Sequence, residues 1–303
     1  MSDMLLPADI IEVPPSLARV RSETAAPARA ARKRRPIALW IGAAWLGLII
    51  VATVFADLLP LADPAKDVGS SRVAPFREWP EFLGTDGLGR SQLSRVIYGA
   101  RVSLTVGVVS ACLGMLLGGT VGVLAGYYRR KLDALVGIVT DTFLAFPALV
   151  LLLSLSAVLR PSKTTLVIGL SLVSFPTFIR LTRANTLRFI NREFVVAARA
   201  IGTKPRRIVL NELVPNVVPP VAAYLPLVAA TLVIAEASLS YLGVGIRPPT
   251  PSWGRMIADG QPSLRDHFQL VAVPAAVLFL TVFSINALGE WLRSRFDVSA
   301  SKI

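Results

Sequence analysis

Several residue types on which metal, redox and catalytic sites depend are nearly missing from this chain of 303 residues, which has one cysteine, Cys112, and one histidine, His267. A single cysteine excludes an intrachain disulfide, and a lone histidine forms no cluster with metal-ligand spacing. The phosphate-binding pattern G-x-x-x-x-G-K-[ST] is also missing, so we expect no ATP hydrolysis by this chain itself. We therefore assign it no catalytic residue, cofactor or metal.

Acidic residues are scarce too, 19 against 32 lysines and arginines, which gives a net charge of +13. Basic chains often bind nucleic acid, but here the cations lie in gaps between long apolar blocks and not along one soluble face. Hydrophobic residues make up 53% of the chain. Blocks of about 18 or more of them are long enough to cross a bilayer as helices. The sequence therefore predicts an all-α membrane protein without a nucleic-acid partner.

Six apolar blocks qualify as membrane spans, the fourth being short and interrupted by Pro176. We expect the spans at residues 37–56, 102–128, 134–159, 164–179, 217–244 and 268–289. Residues 1–36 predict a disordered basic tail, and residues 293–303 a short C-terminal tail. The first block is expected to stay in the protein as an uncleaved span, because no clear A-x-A cleavage site follows it.

The distribution of lysine and arginine predicts the orientation of these spans. With the N-terminus inside, the inner segments carry 21 of the 32 cations, and cytoplasmic loops are usually the more basic ones. An even number of spans then places both termini in the cytoplasm.

Small residues recur nearly every turn along one face of the second span. Such a face lets another backbone approach closely, so it predicts either a packing seam within the chain or a gating surface. The residues of this stripe are Gly107, Ala111, Gly114, Gly118, Gly122 and Gly126.

Two carboxylates interrupt the apolar blocks, Asp141 in the third and Glu236 in the fifth. A charge at the bilayer centre costs about 2.5 kcal/mol or more, so both side chains should face protein or water. They are therefore candidates for the translocation pathway. For Asp141 the alternative is a pair with an arginine or asparagine of another helix, and for Glu236 it is a structural hydrogen bond to loop backbone.

The segment over residues 180–216 is too charged to span a membrane and predicts a corner made of two short helices. The first should end at Gly202, since glycine suits the left-handed cap position, and the second should begin at Pro205 and end at Pro215. This corner can bind a partner protein or lie on the membrane surface, and its residues alone leave both open. The apolar side of the first helix comprises Phe194, Val195, Ala198 and Ile201.

The same segment, with AARAIG and a proline 13 residues after its glycine, resembles the EAA loop of binding-protein-dependent ABC importer permeases. Two longer segments, FLGTDGLGRSQLSRVIYGARVSL and EASLSYLGVGIRPPTPSWGRMIADG, are similar to the C-type permease subunit of dipeptide and oligopeptide importers. The positions that match the EAA loop are Ala197, Ala198, Gly202 and Pro215, whereas Val196, Glu212 and Val214 replace the Glu, Ile and Leu of the family.

This resemblance implies a type I importer fold with six transmembrane helices in the cell inner membrane and a cytoplasmic coupling helix. It implies as partners a second permease subunit, ABC ATPase subunits that bind ATP and Mg²⁺, and an extracytoplasmic substrate-binding protein. The coupling surface that it implies consists of Ala197, Ala198, Arg199, Ile201, Gly202 and Pro215.

The cargo that the resemblance implies is a dipeptide or oligopeptide, with nickel or glutathione as alternatives. A secondary transporter driven by an ion gradient is the rival from another class, although the chain has no detectable internal repeat of the kind found in many such folds. The stiff segment RPPTPSW, residues 247–253, is either a plug or dock for the binding protein or a rigid connector.

Overall fold

The structure, a computed structural model, describes residues 36–77 and 79–300. Their regular elements are helices, accompanied by two isolated β-bridges, Asp67 with Arg90 and Thr85 with Ser91. Of the basic tail predicted over residues 1–36, only Pro36 falls within the described residues. The rest of that prediction lies outside them.

The helices follow one another with short connections, except for two longer loops at residues 55–91 and 242–252. A single turn Pro205–Arg207, a π-helical turn Ile208–Leu213 and the helix Val214–Ala222 form one continuous element. In chain order the helices are α1 (Pro36–Val54), α2 (Gln92–Tyr128), α3 (Arg130–Ala145), α4 (Ala148–Val158), α5 (Lys163–Phe189), α6 (Glu193–Ala200), α7 (Pro205–Ala222), α8 (Leu225–Tyr241), α9 (Trp253–Gly260) and α10 (Gln269–Ala300).

Within the described residues, α1, α2, α5 and α10 are each long and apolar enough to cross a membrane. Two bent pairs pass the same test when each is taken as one span: α3 with α4, bent by 86°, and α7 with α8, bent by 50°. By length and composition the described residues therefore have four passes, or six when each bent pair is taken as one span, and α6 and α9 are too short to add another.

Contacts along α2 define the two ends of this bundle. Gln92, its first residue, donates a hydrogen bond to the carbonyl oxygen of Gln269, where α10 begins. Near its other terminus the Tyr127 ring lies 5.5 Å from the guanidinium carbon of Arg199 in α6. A helix of 37 residues is about 55 Å long, so these contacts lie on opposite sides of the bundle. We call them the loop end, which includes residues 55–91 and α9, and the corner end, which includes α6.

The small-residue stripe of α2 is a packing seam inside the chain. A Cβ atom at Gly122 would lie 2.7 Å from the carbonyl oxygen of Ile179 and 2.8 Å from Cβ of Thr182, so only glycine permits this approach. Each step of four residues from one glycine of α2 to the next is matched by a step of four residues in the same direction along α5, so the two helices are parallel. Gly107 faces Val233 of α8 instead. The four glycines that face α5 are Gly114, Gly118, Gly122 and Gly126.

A proline breaks the third predicted span, which was expected to be continuous, and does not break the fourth, which was expected to be interrupted. The third, expected as one helix, is broken at Pro147, because a proline pushes the preceding residue, Phe146, out of the helical conformation. The fourth is not interrupted by Pro176 and continues past Ile179 to Phe189. Packing along α2 and ion pairs to α3 hold this longer helix in place.

The second and sixth spans are also longer than the apolar blocks that predicted them. Helix α2 begins ten residues before Val102, because backbone carbonyls outside α2 accept hydrogen bonds from its polar first turns. Arg95 donates to Pro64 in the loop at 3.1 Å, and Arg101 donates to Thr53 in the last turn of α1 at 3.0 Å. Helix α10 extends to Ala300, so most of the predicted C-terminal tail is helical.

Candidate functional site

The corner begins with α6, whose geometry follows the sequence closely. The helix ends at Ala200, and Gly202 then has a φ of +77°, the left-handed conformation that favours glycine. A Cβ atom at Gly202 would meet nothing within 4 Å, so backbone conformation and not crowding requires glycine there. Pro205 begins α7, as expected, because its missing N–H would be unpaired in a first turn anyway.

One face of α6 is anchored in the core and the other is open. The Val195 side chain is fully buried against Phe178 of α5 and Leu213 of α7, and Ala198 is half-buried at the edge of the same cluster. The Arg199 guanidinium lies over the Tyr127 ring, which ties α6 to the end of α2. The exposed residues of α6 and of the position that follows it are Glu193, Phe194, Val196, Ala197, Arg199, Ala200 and Ile201.

The prediction that Ile201 shares the apolar side of Val195 is wrong. Its side chain is 82% exposed. Ile201 follows the last helical residue and has φ −85° and ψ 9°, so it leaves the helical register as the chain turns into Gly202. Phe194 is also exposed, which leaves Val195 and Ala198 as the buried side.

The prediction that Pro215 ends the second helix of the corner is wrong as well. Pro215 lies in the first turn of Val214–Ala222 and α7 continues through it. The wide turn before it makes this possible, since the N–H of Val214 donates to the Val209 carbonyl five residues back. A proline cannot donate such a bond and clashes in a normal turn. The second helix of the corner therefore continues without a break into the first part of the fifth span, up to the bend between α7 and α8.

Ion pairs join α3 to the second half of α5. The Arg180 guanidinium lies 2.6 Å from the Asp141 carboxylate, which is a pair of the kind named above as the alternative for Asp141, and the Asp141 side chain is 70% exposed on the surface of this chain. Arg183 forms a two-point pair with Asp133 closer to the corner end. Neither arginine was assigned a partner from the sequence, because the pairing depends on the tilt of α3 against α5.

Glu236, the other intramembrane carboxylate, is fully buried within this chain near the loop end. Its two oxygens accept hydrogen bonds from Ser103 of α2 at 2.7 Å and from Ser240 of α8 at 2.6 Å. The backbone N–H of Trp253, at the start of α9, donates to Ser103 at 3.4 Å. The carboxyl group thus joins three helices through side-chain hydroxyls and not through loop backbone.

Helix α9 is held against the bundle at the same place. The Trp253 ring is fully buried and its indole N–H donates to the carbonyl oxygen of Val96 at 3.1 Å. A Cβ atom at Gly254 would lie 2.1 Å from the Ala237 carbonyl oxygen, so the backbones of α9 and α8 touch. The end of the RPPTPSW segment is therefore a docked part of the fold.

A charged network at the loop end escaped sequence-based reasoning. Arg101 and Tyr98 of α2 donate to the Asp57 carboxylate, and the Arg101 hydrogen bond holds the pKa of Asp57 below its usual value. The Asp86 carboxylate lies 3.3 Å from Nε of Arg95 and 2.8 Å from a terminal guanidinium nitrogen of Arg90. The arginines inside a long helix were the available signal, since each needs a polar partner.

Residues 118–298 match the family of binding-protein-dependent transport system inner membrane components. The chain belongs to this family. The matched region runs from the second half of α2 into α10 and includes the corner with the exposed helix α6.

Curated relatives extend the similarity to most of the permease. It is 34% identical to the dipeptide transport system permease protein DppC of Alkalihalophilus pseudofirmus, over 83% of this chain and 84% of the relative. It is 33% identical to the di/tripeptide transport system permease protein DppC of Pseudomonas aeruginosa, over 84% and 86%. It is 34% identical to the glutathione transport system permease protein GsiD of Escherichia coli, over 88% of each chain. These relatives confirm the resemblance to peptide permeases.

A solved structure supports the fold. The chain superposes with a TM-score of 0.57 on a chain of the MetNI methionine ABC transporter in an inward-facing conformation, at 21% identity, covering 67% of this chain and 96% of that one. The permease thus has the predicted fold, an all-α membrane protein of the type I importer class.

Proposed function

We propose that this permease is the transmembrane subunit of an ATP-driven peptide importer and that α6 couples it to a separate ATPase. The observation that carries the proposal is the division of α6 into two faces. Val195 fixes the helix in the core, while Ala197 and Ile201 leave small and apolar surface uncovered. Exposed apolar residues on an anchored element are typical of a protein interface.

A path for coupling follows from the packing of α6. Its buried face shares a core cluster with α2, α5 and α7, and α7 leads through its bend directly into α8. A displacement of α6 by an ATPase would therefore reach membrane-spanning helices through packed side chains. The coupling surface proposed here consists of Ala197, Ala198, Arg199, Ile201 and Gly202, with Pro215 inside the helix that transmits the motion.

The corner end is proposed to face the cytoplasm. Lysine and arginine are concentrated at residues 129–131, where α2 meets α3, and at residues 204–207, where α7 begins, which fits the cytoplasmic excess of these residues in membrane proteins. Six passes that start and finish at this end give two cytoplasmic termini. The extracytoplasmic binding protein would then meet the loop end.

Asp141 is proposed to border the translocation pathway or the interface with a second permease subunit. Its carboxylate is exposed on the surface of this chain although it lies in a spanning segment, so protein or water must cover it. Glu236 is enclosed by its own chain and is proposed to act on the pathway only by holding α2, α8 and α9 together.

Peptides are the proposed cargo, because the relatives named above include dipeptide and di/tripeptide permeases. Glutathione, itself a tripeptide, is the second candidate, and the similarity to GsiD favours it. ATP and Mg²⁺ would be bound by the ATPase and not by this chain.

Reconstitution of the permease with its second permease subunit, ATPase and binding protein tests the proposal. Proteoliposomes that contain ATP should take up a labelled dipeptide, vanadate should stop the uptake, and an uncoupler that collapses ion gradients should not. Uptake that is insensitive to vanadate but abolished by the uncoupler would identify a secondary transporter and refute the proposal.

A further inference from the structure

A cavity of about 280 Å³ lies at the loop end, between the loop before α2, the first turns of α2, and α9. It belongs neither to the corner nor to the Glu236 cluster. Leu88, Pro248 and Met256 form part of its apolar wall. The charged residues that line it are Asp86, Arg90, Arg95, Arg255 and Asp259.

Positive charge exceeds negative charge in this lining. Three guanidinium groups share two carboxylates: Asp86 lies 2.8 Å from Arg90 and 3.3 Å from Arg95, and Asp259 lies 2.8 Å from Arg255. The side chain of Arg95 is only 2% exposed, so bulk water screens the surplus charge weakly. The N-terminus of α2 adds its partial positive charge on the same side.

One arginine of the lining is accessible to a ligand. The Arg255 side chain is 28% exposed, and its ion-pair contact within the described residues is with Asp259 through Nε. A guanidinium group has five N–H donors in a planar fork that fits a carboxylate. Its two terminal nitrogens can therefore bind an incoming carboxylate.

A buried acceptor complements these donors. Gln92, which also lines the cavity, is 1% exposed, and its amide nitrogen donates to the Gln269 carbonyl at 3.0 Å. Its Oε1 atom has no hydrogen-bond partner among the described residues. A buried oxygen without a partner is costly, so this position favours a ligand that brings an N–H group.

We infer that the cavity binds the C-terminal residue of a short peptide. Such a residue has a carboxylate and a backbone N–H on the same unit, which matches the surplus guanidinium charge and the unpaired Gln92 oxygen. The apolar wall would contact its side chain. In an acidic side chain of a docking protein the carboxylate lies at least one carbon farther from the backbone N–H, which makes it the less suitable ligand. The inference rests on the proposed peptide cargo and on the outward orientation of the loop end.

Ligand-observed NMR on the purified permease–ATPase complex in nanodiscs, without binding protein, tests this site. The probes are dialanine and dialanine amide. Because a hydrogen bond to a charged group contributes about 1.5–3 kcal/mol, the amide should bind with a Kd roughly tenfold higher or more. Arg255→Gln should raise the Kd of dialanine by a similar factor and Arg255→Lys by less. Arg265→Gln, an exposed arginine outside the cavity lining, is the matched control and should have no effect.

Equal binding of dialanine and its amide, or an unchanged Kd in Arg255→Gln, would overturn the inference. So would a third outcome, in which free dialanine does not bind but Arg255→Gln weakens capture of the binding protein, since this identifies a docking site for an acidic side chain. The proposed function can fail without the binding site failing. If uptake were insensitive to vanadate but dialanine still bound more tightly than its amide, the ATP-driven importer would be refuted and the binding site would stand.

Discussion

Replacing Glu236 with alanine tests whether a buried carboxyl group holds the loop end of the bundle together. The substitution removes both acceptor atoms from the cluster, so Ser103 and Ser240 lose their partners in a site that water does not reach. Glu236→Gln is the matched variant, because it has nearly the same shape and keeps one acceptor and one donor for the two hydroxyls.

The magnitude follows from the two hydrogen bonds that the alanine substitution removes. Hydrogen bonds between transmembrane helices contribute on average about 0.6 kcal/mol and at most about 1.7 kcal/mol each. Two such bonds, with the packing space that alanine leaves empty, predict a loss of about 2–4 kcal/mol for Glu236→Ala. Glu236→Gln should lose less than about 1 kcal/mol, because the amide can still bond to both hydroxyls.

Denaturant unfolding of the purified complex, monitored by Trp fluorescence, measures this difference. Trp253 reports on this region because its backbone N–H donates a hydrogen bond to Ser103 and its ring is fully buried. We expect Glu236→Ala to shift the fluorescence transition, to which Trp253 contributes as one of the five tryptophans of this chain, to lower denaturant than Glu236→Gln. If the two variants unfold together with the wild type, the cluster does not stabilise the packing of α2, α8 and α9.

Three further substitutions probe other parts of the fold. Gly122→Ala should destabilise the protein by about 1–3 kcal/mol in thermal unfolding, because its Cβ would lie 2.7 Å from a backbone oxygen, whereas Gly119→Ala on the same helix has room and should be neutral; equal effects would exclude the seam. Asp141→Asn should lower the uptake rate with little change in unfolding, since the carboxylate is exposed on this chain, and unchanged uptake would remove Asp141 from the pathway. Asp57→Asn should lower thermal stability at pH 7. Because folding depresses the pKa of Asp57, that difference should persist down to the ordinary aspartate range and vanish only as the pH falls through the depressed pKa; a difference that disappears near pH 6 would contradict the ion pair with Arg101.

The sequence predicts the passes of this fold well because lipid imposes long apolar blocks. It predicts their ends poorly, since helices continue wherever polar side chains find partners. Arg95 and Arg101 allow α2 to start ten residues early, and Arg180 and Arg183 extend α5 beyond its apolar block. These partners come from segments distant in the chain, which local patterns do not record.

The corner shows the same division between local and distant information. Gly202 and Pro205 act through their own backbone preferences, so their positions are readable from the sequence. Pro215 is misread because the π-helical turn before it removes the expected clash. The exposure of Ile201 is also unreadable from helical periodicity, since the helix ends one residue earlier.

Cysteine cross-linking at Ile201 tests the proposed coupling surface most directly. The background is Cys112→Ala, which removes the single native cysteine. Ile201→Cys is compared with Val158→Cys, because the two side chains are 82% and 83% exposed and Val158 lies toward the loop end. In the assembled importer, Ile201→Cys should cross-link to the ATPase subunit with a yield that changes when ATP binds, and Val158→Cys should not. A complex that transports normally while Ile201→Cys never reaches the ATPase would contradict the assignment of α6 as the coupling helix.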